Sequence, residues 1–129
     1  MTDATPGRPS ILLVEDNDAI RNAFTILLEE SGYRVLQAGS GNVAIQTARS
    51  ELPDLVILDL GLPDVSGLEV ARTLRARPET GAIPIVALTG RALEVDEEAC
   101  MAAGCSGYLT KPIDTEQLLR LIPTFIGNR

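Results

Sequence analysis

Four short apolar runs, each cut off by a polar residue, restrict what this chain can become more than any other feature. Ile11-Leu12-Leu13-Val14 gives way to Glu15-Asp16, Leu55-Val56-Ile57-Leu58 to Asp59, and Ile85-Val86-Ala87-Leu88 to Thr89, while Tyr108-Leu109-Thr110 is followed by Lys111-Pro112. Continuous apolar runs this short match strands buried on both faces of a parallel sheet. Laid side by side, they gather Glu15, Asp16, Asp59, Thr89 and Lys111 at the carboxyl ends of the strands. Open α/β sheets bind their ligands at that edge. Carboxylates brought this close together need a cation among them, which points to a divalent metal and a phosphoryl group.

The stretches between the runs read as helices, and five alternations of strand and helix are the pattern of βαβ units. A first helix is expected over 18–31, with Ile20, Ala23, Phe24, Leu27 and Leu28 on one stripe and Gly32 as its stop. The segment 33–38 is a more polar strand, expected near the sheet edge. Helix 42–51 has Ser40 as its cap and Pro53 closing it. Ser66 and Glu69 have capping-box spacing for a helix running to about Arg77. A thinly apolar, acidic helix within 92–103 is expected to be the most mobile one, with Gly104 ending it. Asp114 and Gln117 suit the start of a last helix through Leu121. Pro123 should end or kink that helix, because proline lacks an amide proton and disfavours helix at Ile122.

A length of 129 residues suits one domain, with 10–126 as the folded unit between a disordered lead-in, 1–9, and a short tail, 127–129. An apolar content of 45% with 3% aromatics gives an aliphatic core. No apolar run approaches the ~20 residues of a membrane span, and the start of the chain lacks the apolar stretch of a signal peptide, so a cytoplasmic location is expected. The net charge of −7, without a basic cluster, argues against direct nucleic-acid binding. The chain contains no histidine, which excludes Ser-His-Asp and Cys-His catalysis and any phosphohistidine of its own. Cys100 and Cys105 read as half-buried unpaired thiols.

Glu15-Asp16, the run from Asp59 to Gly67 (Asp-Leu-Gly-Leu-Pro-Asp-Val-Ser-Gly), Thr89, and Tyr108-Leu-Thr-Lys-Pro, each after the appropriate strand, resemble the receiver (response-regulator) domain of two-component signalling. The resemblance spans roughly residues 10–122. It implies a flavodoxin-like fold, a doubly wound five-stranded parallel sheet of order 2-1-3-4-5 with helices on both faces. It also implies a switch that accepts a phosphoryl group from a partner histidine kinase or histidine phosphotransfer protein and then controls a downstream protein or output domain.

In such a switch Asp59 is the phosphoacceptor, although alone it reads equally well as an aspartate opening a turn. Mg²⁺, for which Mn²⁺ could substitute, would be held by Asp16, Asp59 and the Gly61 backbone carbonyl, with Glu15 acting through water. The family pair often has aspartate first, and Glu15 is a variant of it. Glu15 and Asp16 could alternatively cap the first helix. Lys111 would set an ammonium against a phosphoryl oxygen, aimed by a cis Pro112. Thr89 would bond the phosphoryl group once it is present, drawing in Tyr108, otherwise a strand-end tyrosine, as the switch aromatic. Gly90 leaves the group open to approach, and Gly61 and Arg91 are expected to influence its lifetime. The expected docking surface for a kinase is the first helix, including Ile20, with the Pro112-Ile113 loop; the output surface is expected around Tyr108.

Other classes fit less well. A haloacid-dehalogenase-type phosphatase needs a second Asp two residues after the nucleophile, where this chain has Gly61, so no turnover beyond slow self-dephosphorylation is expected. A nucleotide or flavin carrier is opposed by Glu15-Asp16-Asn17-Asp18 where a phosphate cradle would need free amides. A receiver that signals by protein contact without phosphorylation is the remaining alternative.

Overall fold

A computed structural model describes residues 8–90 and 97–126. Most of the expected lead-in, the first part of the expected fourth helix with Arg91, and the expected tail lie outside the described residues. Strands β1 (Ser10–Val14), β3 (Leu55–Asp59) and β4 (Ile85–Thr89) carry the apolar runs, and every residue in them is buried. β2 (Arg34–Ala38) and β5 (Gly107–Thr110) flank them in a five-stranded parallel sheet of order β2-β1-β3-β4-β5. Half-exposed β2 is at an edge, where its polar residues face water.

Alternate residues of each central strand feed opposite faces. Leu12, Val14, Val56, Leu58, Ile85 and Ala87 pack with α2 (Gly41–Glu51), α3 (Gly67–Ala76) and α4 (Glu97–Ala102). Ile11, Leu13, Leu55, Ile57, Val86 and Leu88 pack with α1 (Asp18–Glu30) and α5 (Thr115–Ile126). No helix among the described residues is long and apolar enough to cross a membrane.

Local chemistry sets the helix ends. The Ser40 and Ser66 hydroxyls accept from the Val43 and Glu69 amides. The capping box is half made, because the Glu69 carboxylate pairs with Arg72 at 3.2 Å. Asp114 Oδ1 accepts from the Glu116 amide at 3.0 Å and the Gln117 amide at 3.3 Å. Gly32 stops α1 with φ +101°.

Four sequence expectations need correction. Asn17, not Glu15 or Asp16, caps α1, its Oδ1 accepting from the Ile20 amide at 2.9 Å. The apolar stripe of α1 is only partly covered: Leu28 is buried, Phe24 and Leu27 are half-buried, and Ile20 and Ala23 are exposed. Thr25 is buried instead, because its hydroxyl donates to the Arg21 carbonyl at 2.8 Å. Cys100 and Cys105 are buried, because both belong to the core cluster with Leu58, Ala87 and Ala103.

The fourth correction concerns the last helix, which does not end at Pro123 but continues through it to Ile126. A proline inside a helix costs on the order of 3 kcal/mol, yet apolar contacts lie on both sides of it. Ile122 is buried, Phe125 and Ile126 pack against the same core face, and Pro123 itself is exposed. That anchoring outweighs the missing hydrogen bond.

Candidate functional site

The strand register assembles the site. Val14 pairs with Leu58, so Glu15 is level with Asp59, and Asp59 pairs with Leu88, one residue before Thr89. Thr89 pairs with Thr110, and the Lys111 amide donates to the Thr89 carbonyl at 2.7 Å. Each run therefore stops at the same height, and its first polar residue enters a common cleft of about 360 Å³ lined by Glu15, Asp16, Asp59, Gly61, Thr89 and Lys111.

Asp59 is the best-anchored group there. Its side chain is only 5% exposed, and Oδ1 accepts from Lys111 Nζ at 3.1 Å and from the Gly61 amide at 3.1 Å. The Lys111-Pro112 peptide is cis. Thr89 is buried beside it. The loop after Asp59 folds back tightly, with the Leu60 amide on the Leu88 carbonyl at 3.0 Å and the Gly67 amide on the Leu60 carbonyl at 3.2 Å.

Glu15 is buried as well. Its Oε2 accepts from the Asn17 amide at 3.0 Å, while Oε1 is buried with no hydrogen-bond partner among the described residues. Burial raises the Glu15 pKa, and Asp59's negative charge and the Asp16 carboxylate, which accepts a hydrogen bond from the protonated form, push it the same way; the Asn17 amide and Lys111 pull it down.

A buried carboxylate oxygen with nothing to bond is costly. Here it faces two more acidic groups. One oxygen each from Glu15, Asp16 and Asp59 lie within 4.8 Å of one another. Hard oxygen donors in this number, with a lysine on one side only, suit a small divalent cation. The residues present fit Mg²⁺.

One expected participant is elsewhere. Tyr108 does not line the cleft: it is half-buried on β5, in register with Ala87, and packs against the core face covered by α2, α3 and α4. Arg91 lies outside the described residues. Three residues emerge only in the folded chain. Asn17 caps α1 at the cleft rim, Arg21 bonds the Glu15 carbonyl at 2.7 Å, and Asp64 clasps the start of α2. The Asp64 carboxylate accepts from the Gly41 amide at 2.9 Å and the Asn42 amide at 3.1 Å, and those bonds lower its pKa.

The family described as the response regulator receiver domain matches residues 11–123. The chain belongs to the receiver family. Among receivers it is 39% identical to the polar-differentiation response regulator DivK of Brucella ovis, across 92% of this chain and 97% of that one. The receiver domain of the sensor histidine kinase PA1611 from Pseudomonas aeruginosa PAO1, solved with magnesium coordinated in its active-site cleft, superposes with a TM-score of 0.86 at 36% identity. The match covers 94% of this chain and 99% of that one. The chemotaxis response regulator CheY4 of Vibrio cholerae superposes with a TM-score of 0.84 at 28% identity, over 92% and 98% of the two chains. Phosphorylation-dependent switching in two-component signalling is the general function of the family.

Proposed function

We propose that this receiver accepts a phosphoryl group on Asp59 from the phosphohistidine of a partner histidine kinase or phosphotransfer protein, with Mg²⁺ in the cleft. The chain has no histidine, so the donor has to come from outside. The P–N bond to the partner's imidazole breaks as a P–O bond forms to the Asp59 carboxylate, and the imidazole departs with the electron pair of the broken bond. The observation that carries this reading is the unpartnered buried oxygen of Glu15 beside Asp59, itself held by Lys111 at 3.1 Å.

Asp16, Asp59 and the Gly61 carbonyl would hold the cation, Glu15 would reach it through water, and Mn²⁺ could replace it. When bound, the cation neutralises charge on the transferred group. Lys111 does the same from the other side as a point cation, and Thr89 offers its hydroxyl to a phosphoryl oxygen. Drawing Thr89 inward favours an arrangement in which Tyr108 turns from its half-buried place, a shift between two existing states. With Gly61 where a second acid–base aspartate would be needed, water removes the phosphoryl group from Asp59 only by slow self-dephosphorylation, so the protein is a switch rather than an enzyme. An apolar groove of about 250 Å³ between Ile20, Phe24, Pro112 and Ile113 opens beside Glu15 and Lys111, suited to a helix of the donor.

Incubation with Mg²⁺ and acetyl phosphate should add the mass of one phosphoryl group, and Asp59→Asn should abolish the gain. No gain in the wild type would refute acceptance of phosphate and leave a receiver acting through protein contact alone.

A further inference from the structure

Resting on the reading of Glu15 and Asp16 as cation-holding residues, we propose that Arg21 is a positioning residue that fixes the direction of both. It is tethered by three groups. Nη1 donates to the Glu15 backbone carbonyl at 2.7 Å, Nη2 to Asp18 Oδ1 at 2.7 Å, and Nε to Gln37 Oε1 on β2 at 2.9 Å. A Cβ on Gly39 would stand 3.3 Å from Nη1, so the guanidinium lies against the turn after β2. Its side chain is 16% exposed, whereas that of Asp18 is 83% exposed. An exposed ion pair would hold nothing rigidly. This guanidinium is instead clamped between the end of β1, the first turn of α1 and β2.

What it grips matters. The last ladder pair of β1 and β2 is Val14 with Ala38, and the Glu15 amide still reaches the Ala38 carbonyl at 3.0 Å. The Glu15 carbonyl lies beyond that ladder. It belongs to the peptide plane joining Glu15 to Asp16, whose only soft rotations are the dihedrals on either side. A charge-assisted bond to its oxygen restrains both. The Cα–Cβ directions of the two acidic residues follow from those dihedrals. The planar fork therefore sets the directions in which both acidic side chains leave the backbone, and a point charge at the same place would not.

Mn²⁺ binding to the full chain, read as the loss of the free-ion electron paramagnetic resonance signal and repeated with Mg²⁺ as competitor, tests this. Partners outside the immediate ligands of a metal are worth 10–100-fold in affinity, so Arg21→Gln should weaken Mn²⁺ binding by about tenfold. Arg21→Lys should weaken it nearly as much, because lysine keeps the charge and loses the fork. Asp114→Ala removes a helix cap on α5 and should lower the urea midpoint while leaving Mn²⁺ affinity unchanged. That separates positioning from general stability. If Arg21→Gln does not fold, Gln37→Ala removes only the Nε tether and should weaken Mn²⁺ binding by up to about tenfold. Unchanged affinity in the folded Arg21→Gln protein, or in Gln37→Ala where that stands in, overturns the inference alone, as does wild-type affinity in Arg21→Lys. Absence of Mn²⁺ binding by the wild type overturns the cation reading and this inference with it.

Discussion

Gly67 opens α3 directly against the strand end that carries Asp59, and replacing it with alanine makes the most demanding test of the site's packing. A Cβ there would stand 2.5 Å from Leu60 Cα, 2.6 Å from Leu60 Cδ2 and 3.0 Å from the Asp59 carbonyl oxygen. Carbon atoms in contact settle at about 3.5–4.0 Å. The Leu60 methyl can rotate away, but its Cα is held by backbone hydrogen bonds to Leu88 and Gly67. α3 has little room to retreat, because Val70, Ala71 and Leu74 are all fully buried. Strand end and helix start must therefore separate by roughly 1 Å. Overpacking of this kind costs about 1–3 kcal/mol, and alanine's better helix propensity returns up to about 1 kcal/mol. The net loss of about 1–2 kcal/mol lowers Tm by roughly 4–8 °C. A displacement of about 1 Å at the acceptor should slow phosphoryl incorporation on the order of 100-fold.

Thermal melts by circular dichroism and the time course of mass gain from acetyl phosphate give the two readouts. Gly32→Ala is the matched control. Gly32 has φ +101° with nothing among the described residues within 4 Å of a new Cβ, and it lies at the far end of the sheet from Asp59. Backbone strain there should cost about 1–2 kcal/mol with no change in labelling. Wild-type Tm and labelling rate in Gly67→Ala would refute the close-packing argument, as would equal slowing by Gly32→Ala.

Three more outcomes follow from buried groups and from the last helix. The raised pKa of Glu15 means that its protonated form is favoured in the fold, so its contribution to stability is present at low pH and lost as pH rises through the folded value. Glu15→Gln should therefore raise the metal-free Tm at pH 7 while weakening Mg²⁺ binding at least about tenfold; a lower Tm with intact affinity would contradict this. Burial, aided by Cys100, pushes the Cys105 thiol from 9.0 to about 11. Its contribution to stability is intact below pH 9 and should fall between pH 9 and 11, and Cys105→Ala should flatten that part of a urea-midpoint profile. Alkylation of native Cys105 by iodoacetamide at pH 7 should be slow compared with the urea-unfolded chain. Pro123→Ala restores an amide proton inside α5 at an exposed position and should raise stability by about 1–3 kcal/mol, measured by chemical denaturation.

The strands, their common polar ends and most helix caps were legible because each depends on residues a few positions apart. Leu55 to Leu58 is apolar throughout and ends on Asp59; Ser40, Ser66 and Asp114 sit just ahead of the helices they cap. Register then followed from the runs stopping together, and with it the meeting of Glu15, Asp59 and Lys111. Only the tertiary structure decided the rest. Asp64 reaches back 23 residues to the Gly41 amide, Arg21 bridges to Gln37, and Glu15 is left with an unpartnered oxygen. The last helix survives its proline because Ile122, Phe125 and Ile126 meet the sheet. Local propensity and periodicity are properties of neighbours along the chain, whereas a hydrogen-bond partner or a compensating contact exists only once distant segments share the same space.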